Sequence, residues 1–241
     1  MKFWIIALVV FCSGTMHAQV LISLLFGDKL NSGKIEFGLE GGLSLSRLEG
    51  LDPMKTHQNY NLGFYFDIKT KKPAWMISTG VKVKSTMGAE GLPVYSLQNP
   101  ALDSSFTGGN ITRKLNYFNV PIMLKYTFKN KIYAQCGIQL GLRYKATDVF
   151  TRKVIDKDDL TYKLDVKNKY HPLDGGLIGG IGYRLEKGYG MNFSFSYYLG
   201  LVDARVSDSG PNEYNRVFYL NAGIPIGKGK AMEKETQESG E

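Results

Sequence analysis

Residues 189–201 read YGMNFSFSYYLGL. Apolar side chains at Phe193 and Phe195 alternate with polar ones at Asn192 and Ser194, and the alternation continues to the end of the stretch. Successive side chains of a β-strand point to opposite faces, so this pattern predicts a strand with one apolar and one polar face. The apolar face meets either a protein core or lipid, and these two cases define different classes of protein.

Seven other segments repeat this alternation. They span residues 33–46, 61–69, 74–84, 116–128, 131–145, 174–186 and 216–227. With 189–201 they predict eight strands of about 9 to 14 residues each, near or above the length that a tilted strand needs to cross a bilayer. The set therefore indicates an all-β chain.

The connections between these segments alternate between short and long. The short ones, TKKPA, KNK and EKGY, are built from residues that are typical of turns. The long ones are residues 47–59, 85–114, 147–173 and 203–215. In an up-and-down meander all short turns lie at one end, as in outer-membrane barrels. We therefore predict an eight-stranded antiparallel up-and-down transmembrane β-barrel with short periplasmic turns and long extracellular loops.

The ends of the chain have their own composition. Lys2 followed by the apolar run FWIIALVVF predicts a secretory signal peptide at residues 1–18, cleaved after Ala18. We expect an apolar periplasmic segment at 19–32, the barrel at 33–227, and a charged, disordered periplasmic tail at 228–241. Export through the signal peptide predicts localisation in the outer membrane.

The chemistry of the two faces decides their orientation. The polar faces are rich in Gly, Ser, Asn and Gln, with charges of both signs, which suits the narrow interior of an eight-stranded barrel. The predicted lumen charge network consists of Glu36, Glu40, Asp67, Lys82, Lys84, Lys125, Arg143, Lys145, Arg184 and Glu186. The predicted lipid-facing residues include Phe64, Trp75, Phe118, Ile138, Tyr183, Phe193, Phe195 and Tyr197. The alternative is a soluble lipocalin-like periplasmic barrel that binds an apolar ligand.

Candidate catalytic and metal-binding residues are few. After the signal peptide the chain has two histidines, His57 and His171, both in segments predicted as long loops. A barrel hydrolase or acyltransferase would need such a histidine together with Asp or Ser at the rim. The acidic run IDKDD at 155–159 lacks the glycine and the distal glutamate of a calcium-binding loop. We expect no enzymatic activity, no cofactor and no metal site.

Several segments resemble a known family. They are AQVLISLLFGDKLNSGKIEFGLEGGLSLS, LGFYFDIK, YFNVPIMLKYTF and GIQLGLRY, and the most specific residues are Tyr117, Val120, Pro121, Ile122, Leu124, Lys125 and Tyr126. In these the chain resembles the PorT-like outer-membrane β-barrel proteins of the Bacteroidota. The resemblance implies a small outer-membrane barrel and carries over no catalytic motif.

These observations predict a non-enzymatic integral outer-membrane barrel with a closed lumen. Eight strands enclose only enough space for side chains, so an aqueous pore is not expected. The long outer loops or periplasmic partners would then carry the function, in adhesion, envelope integrity or secretion support. The expected partners are outer-membrane lipids and envelope or secretion-system proteins, with no nucleic acid.

Overall fold

The computed structural model describes residues 34–52, 55–155, 158–185, 190–207 and 210–226. The expectations for the signal peptide, the apolar segment, the charged tail and Glu186 lie outside the described residues. Among the helices of the described part of the chain, none has the length and apolar character needed to cross a membrane.

The described residues form nine strands and one short helix. The strands are β1 (Ile35–Glu49), β2 (Lys55–Lys69), β3 (Trp75–Leu92), β4 (Asn110–Thr127), β5 (Ile132–Ile155), β6 (Asp158–Asp165), β7 (Leu173–Arg184), β8 (Asn192–Gly200) and β9 (Tyr214–Pro225). Helix α1 spans Pro100–Phe106, and Lys167–Lys169 form a single 3-10 turn.

Eight of the nine strands close into a ring. Each strand pairs antiparallel with its neighbours in the order β4-β3-β2-β1-β9-β8-β7-β5, and β4 also pairs with β5. The first and last strands of the ring pair along Gly38–Glu49 and Tyr214–Pro225. The predicted eight-stranded antiparallel barrel is therefore confirmed. Closure leaves no unpaired sheet edge within the ring, which a bilayer requires.

At one end of the barrel the strands are longer than predicted. Strands extend into segments predicted as long loops: in 85–114, β3 continues to Leu92 and β4 begins at Asn110, and in 147–173, β5 continues to Ile155. The ninth strand, β6, pairs only with the far half of β5, between Thr147 and Ile155. In these segments the apolar residues point inward, opposite to those of the barrel, so the alternation does not continue in phase from the barrel segments.

These extensions build a folded cap at the long-loop end, which we define as the described residues of 85–116, 146–171 and 201–215. Its core buries the residues Met87, Leu92, Phe106, Ile111, Leu115, Ala146, Phe150 and Val166. Helix α1 starts where the Asn99 side chain accepts hydrogen bonds from the backbone N–H groups of Ala101 and Leu102. The helix places Phe106 against Phe150, with 5.8 Å between the ring centroids.

Candidate functional site

The lumen near the short turns is filled by three ion pairs. Glu36 pairs with Arg184 and Glu40 pairs with Lys82. The Lys125 ammonium donates to both carboxylate oxygens of Asp67, at 2.9 and 2.7 Å. Strands β1, β2, β3, β4 and β7 contribute these residues, so each pair joins two strands of the ring. These contacts therefore connect different strands across the lumen. Removal of one partner from a buried pair would leave an uncompensated charge and destabilise the barrel.

Two tyrosines occupy the space between these ion pairs. The Tyr65 hydroxyl contacts Glu36 at 3.4 Å, and the Lys125 ammonium lies 4.7 Å from the centre of the Tyr133 ring. Each ring lies against a glycine: a Cβ at Gly38 would be 2.4 Å from the Tyr65 ring, and one at Gly182 would be 2.3 Å from that of Tyr133. Glycine on the lumen face therefore makes room for the aromatic rings that close the barrel.

Small amides and hydroxyls fill the middle of the lumen. Gln135 donates to Ser196 at 3.2 Å, and Asn119 donates to Ser85 at 2.8 Å. A cavity lined by Glu40, Tyr65, Lys125 and neighbouring side chains has a volume of about 20 Å³, which holds about one water molecule. Along the described strands the lumen is therefore packed with side chains.

The other predicted lumen residues lie elsewhere. Arg143 points inward, but it binds the backbone carbonyls of Lys167, Tyr170 and His171 instead of a carboxylate. Lys84 and Lys145 were assigned to the lumen by strict alternation, and this assignment is wrong.

A β-bulge lies at each of the two misplaced lysines. Register shifts between Lys82 and Ser85 in β3, and around Tyr144 in β5, each add one residue to the strand. An added residue turns the following side chain to the opposite face. Lys84 therefore lies on the outer face, where its ammonium is 3.7 Å from the centre of the exposed Tyr60 ring.

The predicted lipid-facing residues lie on the outside of the barrel. The exposed fractions are 40% for Phe118, 45% for Ile138, 46% for Phe193 and 47% for Phe195. Trp75 and Tyr183 are also exposed, while Phe64 and Tyr197 are half-buried by the neighbouring rings of Phe66 and Phe218. The outer face thus presents an apolar band around the barrel.

A polar cluster that sequence reasoning missed lies inside the cap. Arg113 donates to both carboxylate oxygens of Asp148, at 2.8 and 2.7 Å, and lies 3.6 Å from Glu213. Glu213 also lies 3.6 Å from Arg205 and accepts a hydrogen bond from the Tyr170 hydroxyl at 2.8 Å. These residues come from two strands and two connections, so no local pattern links them.

Burial governs the titration of this cluster. It raises the pKa of the Glu213 carboxyl above its ordinary value of 4.5, while Arg113 and Arg205 act in the opposite direction. Burial also raises the pKa of the Tyr170 hydroxyl, with Arg113 opposing. The cluster stabilises the contact between the β4–β5 hairpin and the connection that precedes β9.

Both histidines were expected in long loops; His171 lies in a connection, and His57 lies in a strand. His57 lies buried within β2, its Nδ1 2.6 Å from Glu90 Oε1. The nearby Ser46 hydroxyl donates to the backbone carbonyls of His57 and Gly88 instead of the imidazole ring. His171 is exposed after the 3-10 turn. Within the described residues no three His, Cys, Asp or Glu side chains come together in a way that could hold a metal ion.

The ring, its polar lumen and its apolar outer band define a membrane β-barrel. The model of the family described as "Outer membrane protein beta-barrel domain" matches residues 19–205, and the chain belongs to this family. The protein is thus an outer-membrane protein.

Several solved barrels are similar in fold. The attachment invasion locus protein Ail of Yersinia pestis is 14% identical, with a TM-score of 0.41 over 80% of this chain and 99% of that one. Neisserial surface protein A is 9% identical, with a TM-score of 0.43 over 79% and 96% of the two chains. OprG of Pseudomonas aeruginosa is 13% identical, with a TM-score of 0.39 over 81% and 95%. No curated protein matches the chain.

Proposed function

We propose that this protein is a non-enzymatic outer-membrane barrel that acts through its extracellular cap. The packing of the lumen carries this proposal. Ion pairs and tyrosines leave space for about one water molecule in the cavity beside Lys125, so the interior offers no route for a solute. The cap is a folded unit with a buried apolar core that continues into the adjoining end of the barrel through Tyr117, Tyr198 and Tyr219.

The closed lumen is tested by electrical measurement in planar lipid bilayers. The purified protein should insert without producing a stable single-channel conductance, while a large porin in the same bilayers conducts. A stable conductance from this chain would contradict the closed lumen. A heat-modifiable shift on unboiled gels verifies that the inserted protein is folded.

The role of the cap is tested by deletion. Replacement of residues 93–109, which include helix α1, by a short glycine-serine link should abolish the cellular function in adhesion, envelope integrity or secretion. The matched control replaces the short turn at 70–73 and should retain that function. Both variants should keep the heat-modifiable shift. Full function without residues 93–109 would contradict a function carried by the cap.

Membership of the PorT-like branch is a further part of the proposal. In the sequence that carries the resemblance, Val120, Ile122 and Leu124 lie on the exposed outer face. In the same strand Lys125 points inward to Asp67. The motif thus combines the two requirements of a barrel strand, an apolar surface for lipid and a charge pair for the lumen. This branch would favour secretion support among the three roles, with envelope or secretion-system proteins as partners.

Export is proposed to depend on residues 1–18 as a cleaved signal peptide, with 19–32 and 228–241 on the periplasmic side. The even number of ring strands supports this placement, since both ends of the barrel chain lie at the short-turn end. The soluble lipocalin-like alternative does not fit, because its apolar side chains would line the interior. Fractionation to the outer membrane tests the proposal, and recovery in the soluble periplasm would contradict it.

A further inference from the structure

Three lysines lie on neighbouring strands on the outside of the barrel, directly above the apolar band. Lys84 lies in the bulge of β3, and Lys145 follows the bulge of β5. Both bulges lie beside the same part of β4, at Asn116 and Phe118. The third lysine, Lys114, lies on β4 itself.

The orientation of Lys114 follows from its neighbours. Leu115 is fully buried in the cap, and Arg113 points inward to Asp148. Adjacent residues of a strand point to opposite faces, so Lys114 points outward. Lys145 is exposed and pairs directly with Asn116.

The three lysines are close enough to contact one ligand. Neighbouring strands are about 5 Å apart, and residues two apart on one strand are separated by about 7 Å. Lys114 and Lys145 therefore have backbones about 9 Å apart. Lys84 lies beside Phe118 in register, so its backbone is about 12 Å from that of Lys145 and about 14 Å from that of Lys114. Lysine side chains are long and flexible, so their ammonium groups can converge over the outer face of β4.

No carboxylate of the described residues forms an ion pair with these three lysines. Asp165 lies on the same face of β6, the strand next to that of Lys145, and accepts a hydrogen bond from the backbone N–H of Lys167 at 2.8 Å. The three lysines therefore concentrate positive charge on one part of the outer face, which attracts an anion.

The surface directly below the lysines is aromatic. The exposed rings of Phe118 and Tyr144 lie 4.6 Å apart between their centroids, and the Tyr60 hydroxyl contacts the Lys84 ammonium. From Ile132 to Tyr144 the outer face of β5 carries an apolar side chain at every second position. At a strand tilt of about 40° this run spans about 30 Å of height, close to the thickness of the apolar band of a barrel. The lysines therefore lie at the level of the lipid headgroups.

We propose that Lys84, Lys114 and Lys145 form a binding site for the phosphorylated headgroup of a lipid in the outer leaflet. The headgroup phosphate would bind the ammonium groups, and the acyl chains would lie along Phe118, Tyr144 and the apolar residues below them. The two bulges create this site, since each turns a lysine from the lumen to the lipid side. The inference rests on the outer-membrane placement proposed above but not on the closed lumen or on the cellular role.

Native mass spectrometry in a neutral detergent, with phosphatidic acid as the added lipid, tests the site. The variant carries Lys84→Gln, Lys114→Gln and Lys145→Gln. A basic residue near an anionic lipid surface contributes about 1 kcal/mol, so the affinity should fall about fivefold for each lysine removed. The matched control carries Lys71→Gln, Lys72→Gln and Lys129→Gln in the short turns and should bind phosphatidic acid like the unmodified protein.

Two further ligands identify what the site recognises. Diacylglycerol, which lacks the phosphate, should bind all variants equally weakly, and inorganic phosphate should not displace phosphatidic acid at comparable concentration. Displacement by inorganic phosphate would overturn the proposal in favour of a free-anion site. Equal affinity of the two triple variants for phosphatidic acid would also overturn it. If the triple variant does not fold, Lys145→Gln alone, at an exposed position, tests the proposal. Its affinity for phosphatidic acid should fall about fivefold.

Discussion

The barrel and the cap are built from the same strands but are opposite in polarity. In the barrel part of β4, Ile122 and Leu124 point outward and Lys125 points inward. In the cap part of the same strand, Leu115 is buried and Lys114 points outward. β5 shows the same reversal between exposed Leu142 and buried Phe150. Each face carries the side chains that its surroundings favour, lipid outside the barrel and water outside the cap.

In β3 and β5 the reversal takes place at the bulges. β4 has no extra residue at this level: Leu115, Tyr117 and Lys125 all point inward, and the apolar side chains change instead from even-numbered to odd-numbered positions. One added residue in β3 and one in β5 change the parity of the positions that directly follow. A bulge thus allows the outer face of one strand to carry apolar side chains toward lipid in the barrel and polar side chains toward water in the cap.

The largest expected effect tests the interior of the cap. Arg113→Met removes the partner of Asp148 and Glu213, and breakage of a buried pair costs about 3–5 kcal/mol. We expect the cap to become sensitive to proteolysis while the barrel keeps its heat-modifiable shift. Lys153→Met, on the exposed side of the same hairpin, should leave proteolysis unchanged. Loss of the barrel shift in Arg113→Met would show that cap and barrel fold as one unit.

The second effect compares a charge on the outer face of the two regions of β5. Ile138→Lys places a lysine in the apolar band and should lower the free energy of unfolding by about 2–4 kcal/mol if it lies near the midplane of the bilayer. Thr151→Lys places the same charge on the outside of the cap, in water, and should change it by less than about 0.5 kcal/mol. Urea unfolding from lipid vesicles measures both. Equal changes in unfolding free energy for the two substitutions would contradict lipid around the barrel and water around the cap.

The third effect tests the lumen. Asp67→Asn leaves the Lys125 ammonium without a carboxylate, next to the Tyr133 ring. Loss of a buried charged hydrogen-bond partner should cost about 1–3 kcal/mol. Lys69→Gln, at an exposed position of the same strand, is the control in the same urea measurement. An unchanged unfolding free energy for Asp67→Asn would argue against a structural role of this pair.

The smallest effect concerns the pH dependence of the cap. Since the folded pKa of Glu213 is raised above 4.5, its contribution to stability is fully present below pH 4.5 and is lost as the pH rises through the folded value. Limited proteolysis should therefore show the cap loosening slightly across this interval in the unmodified protein. Glu213→Gln should remove that part of the pH dependence. An identical pH profile in both proteins would show that the two arginines cancel the effect of burial.

Sequence patterns predicted the barrel better than the cap for a physical reason. The alternation in 116–128 and 131–145 is local, and a membrane strand must keep it along its whole length because one face meets lipid. In 85–114 and 147–173 the same strands continue with the apolar residues on the other face, so the period of two does not continue from the barrel into these segments. These segments were therefore predicted as loops.

The lumen network shows the same division. The alternation predicted Glu36, Asp67 and Lys125 as charges that point inward. It could not predict which of them form ion pairs, because the partners lie on different strands of the ring. Arg113, Asp148 and Glu213 were missed altogether. They come together only when the β4–β5 hairpin meets the connection before β9.

The sequence by itself determined the strand segments of the ring, their short turns and the apolar character of the outer face, because a period of two residues is a local property. The tertiary structure decided where that period shifts, because a bulge exists only relative to the partner strand. It thereby placed Lys84 and Lys145 outside the barrel. It also decided which charges meet, since ring closure brings together residues that are far apart in the chain.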